Sequence, residues 1–234
     1  VGEVNLLQPL LAAIEEKHPD WECVISTTTR TGYELARQKY APRSVFYCPL
    51  DFSWAVRTAF RRINPQLLVL VELELWPNLI RWAKRSGIPV AIVNGRLSES
   101  SARGYSRIRF LMRRLLQSTN LIAVQNEEYA ERFQQLGATA GQIHITGSLK
   151  FDGIDLNRQN PATQQLAALA GITDQDIVFL AGSTQAPEEQ FAVSVFRQLV
   201  SHYPRLRLIL VPRHPERFSE VANMLEQHGI EWQR

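Results

Sequence analysis

The chain has 234 residues, 45% apolar and 21% charged, which is enough apolar material for a packed core and argues against disorder. Its net charge of +3 suits anionic partners but is far below that of nucleic-acid-binding domains, so no nucleic-acid partner is predicted. The two cysteines form no CxxC pair, which favours reduced, buried thiols, and no apolar run approaches the roughly 20 residues of a membrane span.

The first predicted element is an amphipathic helix that starts at Gly2-Glu3 and closes at His18-Pro19. Glu3 lies in its first turn, where the helix dipole stabilises a carboxylate by about 0.3–1 kcal/mol even without any function. A strand and the polar loop Thr27–Gly32 follow. The hydroxyls, the glycine and Arg30 of this loop lie between a strand and a helix N-terminus, which weakly indicates an anion site.

An acidic segment follows the predicted strand Leu67–Val71, whose continuous apolar run is typical of a parallel strand buried on both faces. Two-residue periodicity places Glu72 and Glu74 on one face at the strand's carboxyl end. Ligands of open α/β sheets bind beyond the carboxyl ends of their strands, so the two acids are candidate site residues. A solvated loop that merely carries acids is the alternative.

The segment Ser100–Gln117 contains five arginines and no acidic residue, interleaved with apolar side chains. It predicts a basic amphipathic helix that could lie on an anionic membrane surface, although most charged helix faces are simply solvated. Strands and helices alternate up to the polar stretch 155–162, where we place a domain boundary. The alternation predicts a doubly wound parallel sheet, with domains at 1–153 and 154–234.

In the second domain, a buried strand over Ile177–Ala181 is expected to lead through a Gly-Ser-Thr turn, residues 182–184, to a helix. Such a turn offers backbone N–H groups and hydroxyls to a phosphate, and Arg213 and His214 after the next strand could add charge-assisted bonds. The turn lacks the lysine of a P-loop. His214 could alternatively be a core or capping histidine. Two strand–helix repeats are too few for a complete doubly wound domain.

Eight segments, in order and across the whole chain, resemble the 3-deoxy-D-manno-octulosonic acid (Kdo) transferases of Gram-negative lipid A assembly. They are Val1–Glu3, Ser26–Gly32, Glu72–Asn78, Val93–Ser98, Arg132–Gly137, Gly147–Asp152, Gly182–Thr184 and Pro212–Arg217.

The resemblance implies a GT-B glycosyltransferase of lipopolysaccharide biosynthesis, with an acceptor-side and a donor-side Rossmann-like domain. It further implies inverting, metal-independent transfer of Kdo from CMP-Kdo, without a cofactor, to a lipid A precursor at the cytoplasmic face of the inner membrane. The family has an anchor and a His-containing segment before Val1 and nucleotide-site segments after Arg234. The chain is therefore expected to be truncated at both ends, with an incomplete second domain.

The resemblance also implies residue roles. Glu3 matches the family's catalytic base, and the other expected site residues are Arg30, Glu72, Glu74 and Lys150 on the acceptor side and Gly182, Ser183, Thr184, Arg213 and His214 on the donor side. An acceptor that bears two phosphates accounts for Arg30, Lys150 and the basic helix. Two alternatives stay open: a non-catalytic nucleotide- or sugar-binding Rossmann module, and a GT-B transferase that uses a UDP-sugar.

Overall fold

A computed structural model describes residues 2–152, 157 and 159–234. The chain divides into two compact units, Val1–Ile154 and Asp155–Arg234, each with its own hydrophobic cluster or clusters. The acceptor and donor roles of the predicted domains 1–153 and 154–234 stay predictions.

The first unit alternates helices and strands along the chain. Its elements are α1 Gly2–Lys17, β1 Ile25–Thr27, α2 Arg30–Lys39, β2 Val45–Tyr47, α3 Ser53–Ile63, β3 Leu68–Val71, α4 Pro77–Arg85, β4 Val90–Gly95, α5 Glu99–Ser106, α6 Arg109–Leu116, β5 Leu121–Val124, α7 Glu127–Gln135 and β6 Ile143–Ile145. Strands β1 and β2 pair in parallel, and β3 to β6 form a parallel sheet in the order β3-β4-β5-β6. The predicted parallel α/β architecture is confirmed.

The main core of the first unit lies between this sheet and helices α3, α4, α6 and α7. Ile92 of β4, Ile122 of β5 and Phe133 of α7 are fully buried in it. A smaller cluster joins α1 to α2, because Val4 packs with Tyr40 and the Val4 carbonyl accepts a hydrogen bond from the Tyr40 hydroxyl. These contacts fix the start of α1, the turn that carries Glu3.

The predicted basic helix is two helices, since the chain breaks between α5 and α6 at Arg107 and Ile108. Helix α6 buries Met112 and Leu116 in the main core, and its Leu115 is also buried. Across residues 2–152, 157 and 159–234, no helix is both long and apolar enough to cross a membrane.

The second unit consists of α8 Pro161–Leu169, β7 Ile177–Thr184, α9 Glu188–Leu199, β8 Leu206–Pro212 and α10 Phe218–Gln227. Strands β7 and β8 are parallel, and α9 and α10 bury Val193, Val221 and Leu225 against β8. The prediction that Ile177–Ala181 is buried is wrong. Leu180 is 60% exposed, because α9 and α10 cover only one face of the strand pair.

Candidate active site

Two of the predicted acceptor-side residues, Glu72 and Lys150, follow strands of the four-stranded sheet in the first unit. Glu72 follows β3, Arg96 follows β4, Gln125 follows β5 and Lys150 follows β6 by a few residues. Because these strands are parallel and adjacent, their following residues meet on the same side of the sheet. This set of strand ends is called the carboxyl edge below.

Glu72 and Glu74 do not lie on one face of a strand, as their spacing predicts. Strand β3 ends at Val71, and Glu72 adopts a left-handed φ of 58° while its N–H donates to the Val93 carbonyl at 2.9 Å. The Glu72 carboxylate lies 3.8 Å from the Arg96 guanidinium, whereas Glu74 accepts a 2.7 Å bond from the Trp76 indole. A left-handed conformation at glutamate costs energy, and such strain is concentrated at functional sites.

Glu3 lies close enough to both acids for their charges to act on it. Partial burial, and after it the negative charges of Glu74 and Glu72, raise the pKa of the Glu3 carboxyl above its ordinary value, although the side chain still reaches solvent. These effects oppose the helix dipole, which favours the charged form. A carboxylate with a raised pKa is a stronger base, so the structure gives Glu3 the electrostatics of a proton acceptor.

The N-terminus of α4 is occupied by Asp51, which the sequence does not reveal. The Asp51 carboxylate accepts from the backbone N–H groups of Asn78 at 3.0 Å and Leu79 at 2.9 Å, while Trp76 at the N-cap position makes no side-chain cap. Asp51 lies two residues before the start of α3, and only the tertiary fold shows that it caps α4. Since a carboxylate already satisfies these donors, this helix end is not an anion site.

The loop that carries Asp51 also lies near the acids. Burial raises the pKa of the Cys48 thiol, and the charges of Glu74 and Asp51 raise it further, against a lowering hydrogen bond with Ser26. Cys23 and Cys48 are both free thiols. The ends of β1 and β2 are therefore neighbours of the turn that carries Glu74.

The two predicted acceptor-side cations lie in different settings. Arg30 begins α2, whose N-cap is Thr29, and its guanidinium is 84% exposed and bonds to Glu34 at 2.8 Å. Lys150 is exposed in the segment 147–152, whose Leu149 N–H donates to the buried Asn94 side chain at 3.1 Å. Lys150 is thus tied to the carboxyl edge through its neighbour.

In the second unit, Gly182, Ser183 and Thr184 form the end of β7 instead of a turn at a helix start. Strand β7 continues beside β8 with a register shift, and Ser183 takes a left-handed φ of 60°. Helix α9 begins later, at Glu188, and has two acidic residues in its first turn. The prediction that Gly182–Thr184 is a turn leading directly into a helix is therefore wrong, and the role of these residues in donor binding stays a prediction.

The structure does bring Arg213 and His214 to the end of β7. The Arg213 N–H donates to the Thr184 carbonyl at 2.9 Å, and the side chains of Arg213 and His214 are exposed. His214 lies 3.7 Å from Glu216 and makes no capping hydrogen bond, which rules out the core or capping alternative.

Arg217, from the same motif, has a different partner. Its guanidinium forms a bidentate pair with the buried Glu189 of α9, at 2.7 and 3.3 Å, and contacts Glu220 at 3.0 Å. Burial alone would raise the pKa of Glu189, but hydrogen bonds from Arg217 and the backbone outweigh it, and the pKa lies below its ordinary value. The pair joins the segment after β8 to α9 and so fixes the backbone that carries Arg213 and His214.

Among the described residues, no group of three or more His, Cys, Asp or Glu side chains is arranged to hold a metal ion. Metal independence stays a prediction from the resemblance.

Solved structures with a similar fold define the class first. The UDP-GlcNAc 2-epimerase from Neisseria meningitidis matches with a TM-score of 0.66 at 13% identity, over 98% of this chain and 67% of that chain. The enzyme of the same name from Methanocaldococcus jannaschii matches with a TM-score of 0.63 at 14% identity, over 97% and 67%. At such identities the likeness shows the fold alone, an α/β fold of the GT-B type.

Sequence comparison then gives the family. A model of the 3-deoxy-D-manno-octulosonic-acid transferases matches residues 1–153. The chain is 34% identical over 237 aligned residues to the 3-deoxy-D-manno-octulosonic acid transferase of Haemophilus influenzae, covering 100% of this chain and 55% of that protein. It is 32% identical to the transferase of that name from Chlamydia trachomatis, over 98% and 53%. The chain belongs to the Kdo transferase family and spans about half the length of these relatives.

Proposed function

We propose that this chain forms the acceptor site and part of the donor site of an inverting glycosyltransferase that moves Kdo from CMP-Kdo to a lipid A precursor. The observation that carries this proposal is the place of Glu3 in the first turn of α1, where burial and, after it, the charges of Glu74 and Glu72 raise the pKa of its carboxyl. Family membership supports the choice of sugar. No cofactor and no nucleic-acid partner are part of the proposal.

Inverting transfer needs one base on the acceptor. The acceptor hydroxyl attacks the anomeric carbon of Kdo and gives its proton to the Glu3 carboxylate. The bond from that carbon to the CMP phosphate breaks on the opposite face, and its electron pair leaves with CMP. Burial of Glu3 and, after it, the charges of Glu74 and Glu72 keep its carboxylate more basic than that of an isolated glutamate.

The acceptor phosphates are assigned to Arg30 and Lys150. Both side chains are exposed, and both follow parallel strands of the first unit. An arginine binds phosphate through a planar fork and a lysine as a point charge, so the two suit an acceptor with two phosphates.

The donor is assigned to the ends of β7 and β8. Gly182 and Ser183 are exposed, and the Arg213 N–H bond to the Thr184 carbonyl holds Arg213 and His214 beside the end of β7. This supports the assignment, because a departing CMP phosphate needs positive charge such as that of Arg213. Because α9 begins only at Glu188, this charge is assigned to side chains rather than to a helix dipole.

A peripheral contact with the cytoplasmic face of the inner membrane is assigned to the break between α5 and α6. Ile108, Phe110 and Leu111 are exposed there, with Phe110 at 69%. The surrounding arginines, Arg103, Arg107, Arg109, Arg113 and Arg114, are also exposed. Exposed apolar side chains inside a basic surface suit an anionic bilayer.

The experiment is release of CMP from CMP-Kdo with a lipid A precursor, measured on the full-length protein. Glu3→Gln keeps the size of the side chain and removes the base, so kcat is expected to fall by about 10²–10⁴. Glu16→Gln, an exposed change on the same helix, is the matched control. Wild-type kcat in Glu3→Gln would place the base elsewhere.

Two further outcomes would replace the proposal. Tight CMP binding without turnover in the full-length protein would indicate a non-catalytic nucleotide-binding module. Calorimetry that finds tighter binding of UDP than of CMP would indicate a transferase that uses a UDP-sugar.

A further inference from the structure

Asn94, the last residue but one of β4, is a buried polar side chain that the proposed reaction does not use. It is 2% exposed and has a left-handed φ of 55°. The register of β4 against β5 shifts between Ile92 and Gly95, which makes Asn94 part of a bulge. Bulges next to active sites turn a side chain in a new direction, and asparagine tolerates left-handed backbone better than most residues.

The Asn94 side chain connects three neighbouring strand ends. Its Oδ1 accepts from the Gln125 Nε2 at 2.9 Å, just after β5, and from the Leu149 N–H at 3.1 Å, after β6. Gln125 Nε2 also approaches the Asn94 carbonyl at 3.4 Å. The buried Asn94 Oδ1 therefore holds the segment 147–152, which follows β6, two strands away from β4 in the sheet.

The end of β4 also contacts the turn that carries Glu72. The residue before Asn94, Val93, accepts the Glu72 N–H through its carbonyl, and Arg96, two residues after Asn94, pairs with Glu72. Asn94 thus lies between the turn that carries Glu72 and the segment that carries Lys150. Its bond to Leu149, together with the bond from the Glu72 N–H to the Val93 carbonyl, connects the two turns through the end of β4.

We propose that Asn94 is a positioning residue, which holds the segment 147–152 at the carboxyl edge so that Lys150 meets an anionic group of the acceptor. This inference rests on the proposed function of the carboxyl edge. Asn94 itself does not touch the substrate. Its effect is transmitted through the Leu149 N–H to the next residue.

The test is a double-mutant cycle on the full-length protein, with KM for the acceptor and kcat as readouts. Asn94→Gly removes the amide without straining a left-handed backbone. Lys150→Ala, which removes a charge-assisted contact, is expected to raise the acceptor KM about tenfold. Asn94→Gly should raise KM by about five- to tenfold with kcat within about twofold, and the double variant should be no worse than Lys150→Ala alone.

A structural readout accompanies the kinetics. In Asn94→Gly, hydrogen exchange at the Leu149 amide should become at least about tenfold faster, because its acceptor is gone. Asn120→Ala is the matched control: Asn120 accepts the Val90 N–H at 2.9 Å at the opposite end of the same strand. It should change neither the acceptor KM nor exchange at Leu149.

If Asn94→Gly folds poorly, Asn94→Asp takes its place, because it keeps an acceptor oxygen. It should retain slow exchange at Leu149 and a near-normal KM, and loss of both would overturn the proposal. The proposal would also be overturned if the KM increases of the two single variants multiplied in the double variant. Hydrogen exchange at the Leu149 amide that stays unchanged in Asn94→Gly would overturn it as well. A normal KM in Lys150→Ala would instead disprove the acceptor role of Lys150, and the positioning role would fall with it.

Discussion

Leu70 and Leu180 are the same residue type in apolar runs of parallel strands, yet Leu70 is 5% exposed and Leu180 is 60% exposed. Leu70 lies in β3, where helices α3 and α4 contribute to the same core. Leu180 lies in β7, on the side of the strand pair that α9 and α10 leave open. An apolar run therefore predicts a strand, whereas its burial depends on how many layers the rest of the unit supplies.

The polar site residues of the two units also differ in how deeply they are buried and how they are held. At the carboxyl edge of the first unit, buried or half-buried side chains such as Asn94 and Glu72 are held by tertiary hydrogen bonds and ion pairs. At the ends of β7 and β8, Arg213 and His214 are exposed, and their backbone is held by the Glu189–Arg217 pair. The proposed acceptor side is thus the more preorganised of the two.

The largest expected effect separates the two leucines. Leu70→Ala should lower the free energy of unfolding of the first unit by about 2–5 kcal/mol, because it leaves a cavity in the main core. Leu180→Ala should change that of the second unit by about 0.5 kcal/mol or less, as expected for an exposed site. Urea denaturation of both variants measures the difference, and equal losses would show that the open face of β7 is covered in the native protein.

The cap of α4 provides an intermediate effect. Asp51→Ala should lower the free energy of unfolding of the first unit by about 1–2 kcal/mol, because two backbone donors lose their acceptor. Asn126→Ala removes the local cap of α7, whose side chain accepts the Tyr129 N–H, and should cost about 1 kcal/mol. If Asp51→Ala left the free energy of unfolding unchanged while Asn126→Ala lowered it by about 1 kcal/mol, the capping of α4 by Asp51 would be contradicted.

A smaller effect concerns Asp176, just before β7. Hydrogen bonds from the backbone and hydroxyl of Thr173, and then from Arg207, lower the pKa of Asp176 from 3.8 to about 2. A lowered folded-state pKa stabilises the fold above the unfolded value, and this contribution is lost as the pH falls through the folded value. The stability difference between the wild type and Asp176→Asn should therefore be full above pH 4 and disappear toward pH 2.

Denaturation at several pH values measures this window. Asp174→Asn, in the same turn, controls for the loss of one charge. A difference that persists unchanged at pH 2 would contradict the lowered pKa of Asp176.

The fold class and the positions of Glu72 and Lys150 after strands of the sheet could be predicted, because strand runs, helix stripes and the side of the sheet that follows each strand are local properties. Asp51 and Asn94 could not be recognised, since their partners lie 27 and 55 residues away. The alternating pattern of the sequence continues through Glu72 and Glu74, but the left-handed backbone at Glu72 ends the strand before them. Gly182–Thr184 has the composition of a turn, but pairing with β8 extends the strand through it.

The central claim is that burial and, after it, the charges of Glu74 and Glu72 raise the pKa of Glu3, and the pH dependence of kcat/KM in the full-length protein tests it most directly. The acidic limb of the profile should follow the ionisation of Glu3, at a pH above the ordinary glutamate value of 4.5. In Glu74→Gln, which removes one like charge, the account predicts that this limb moves to lower pH. A limb that stays in place or moves to higher pH would contradict it.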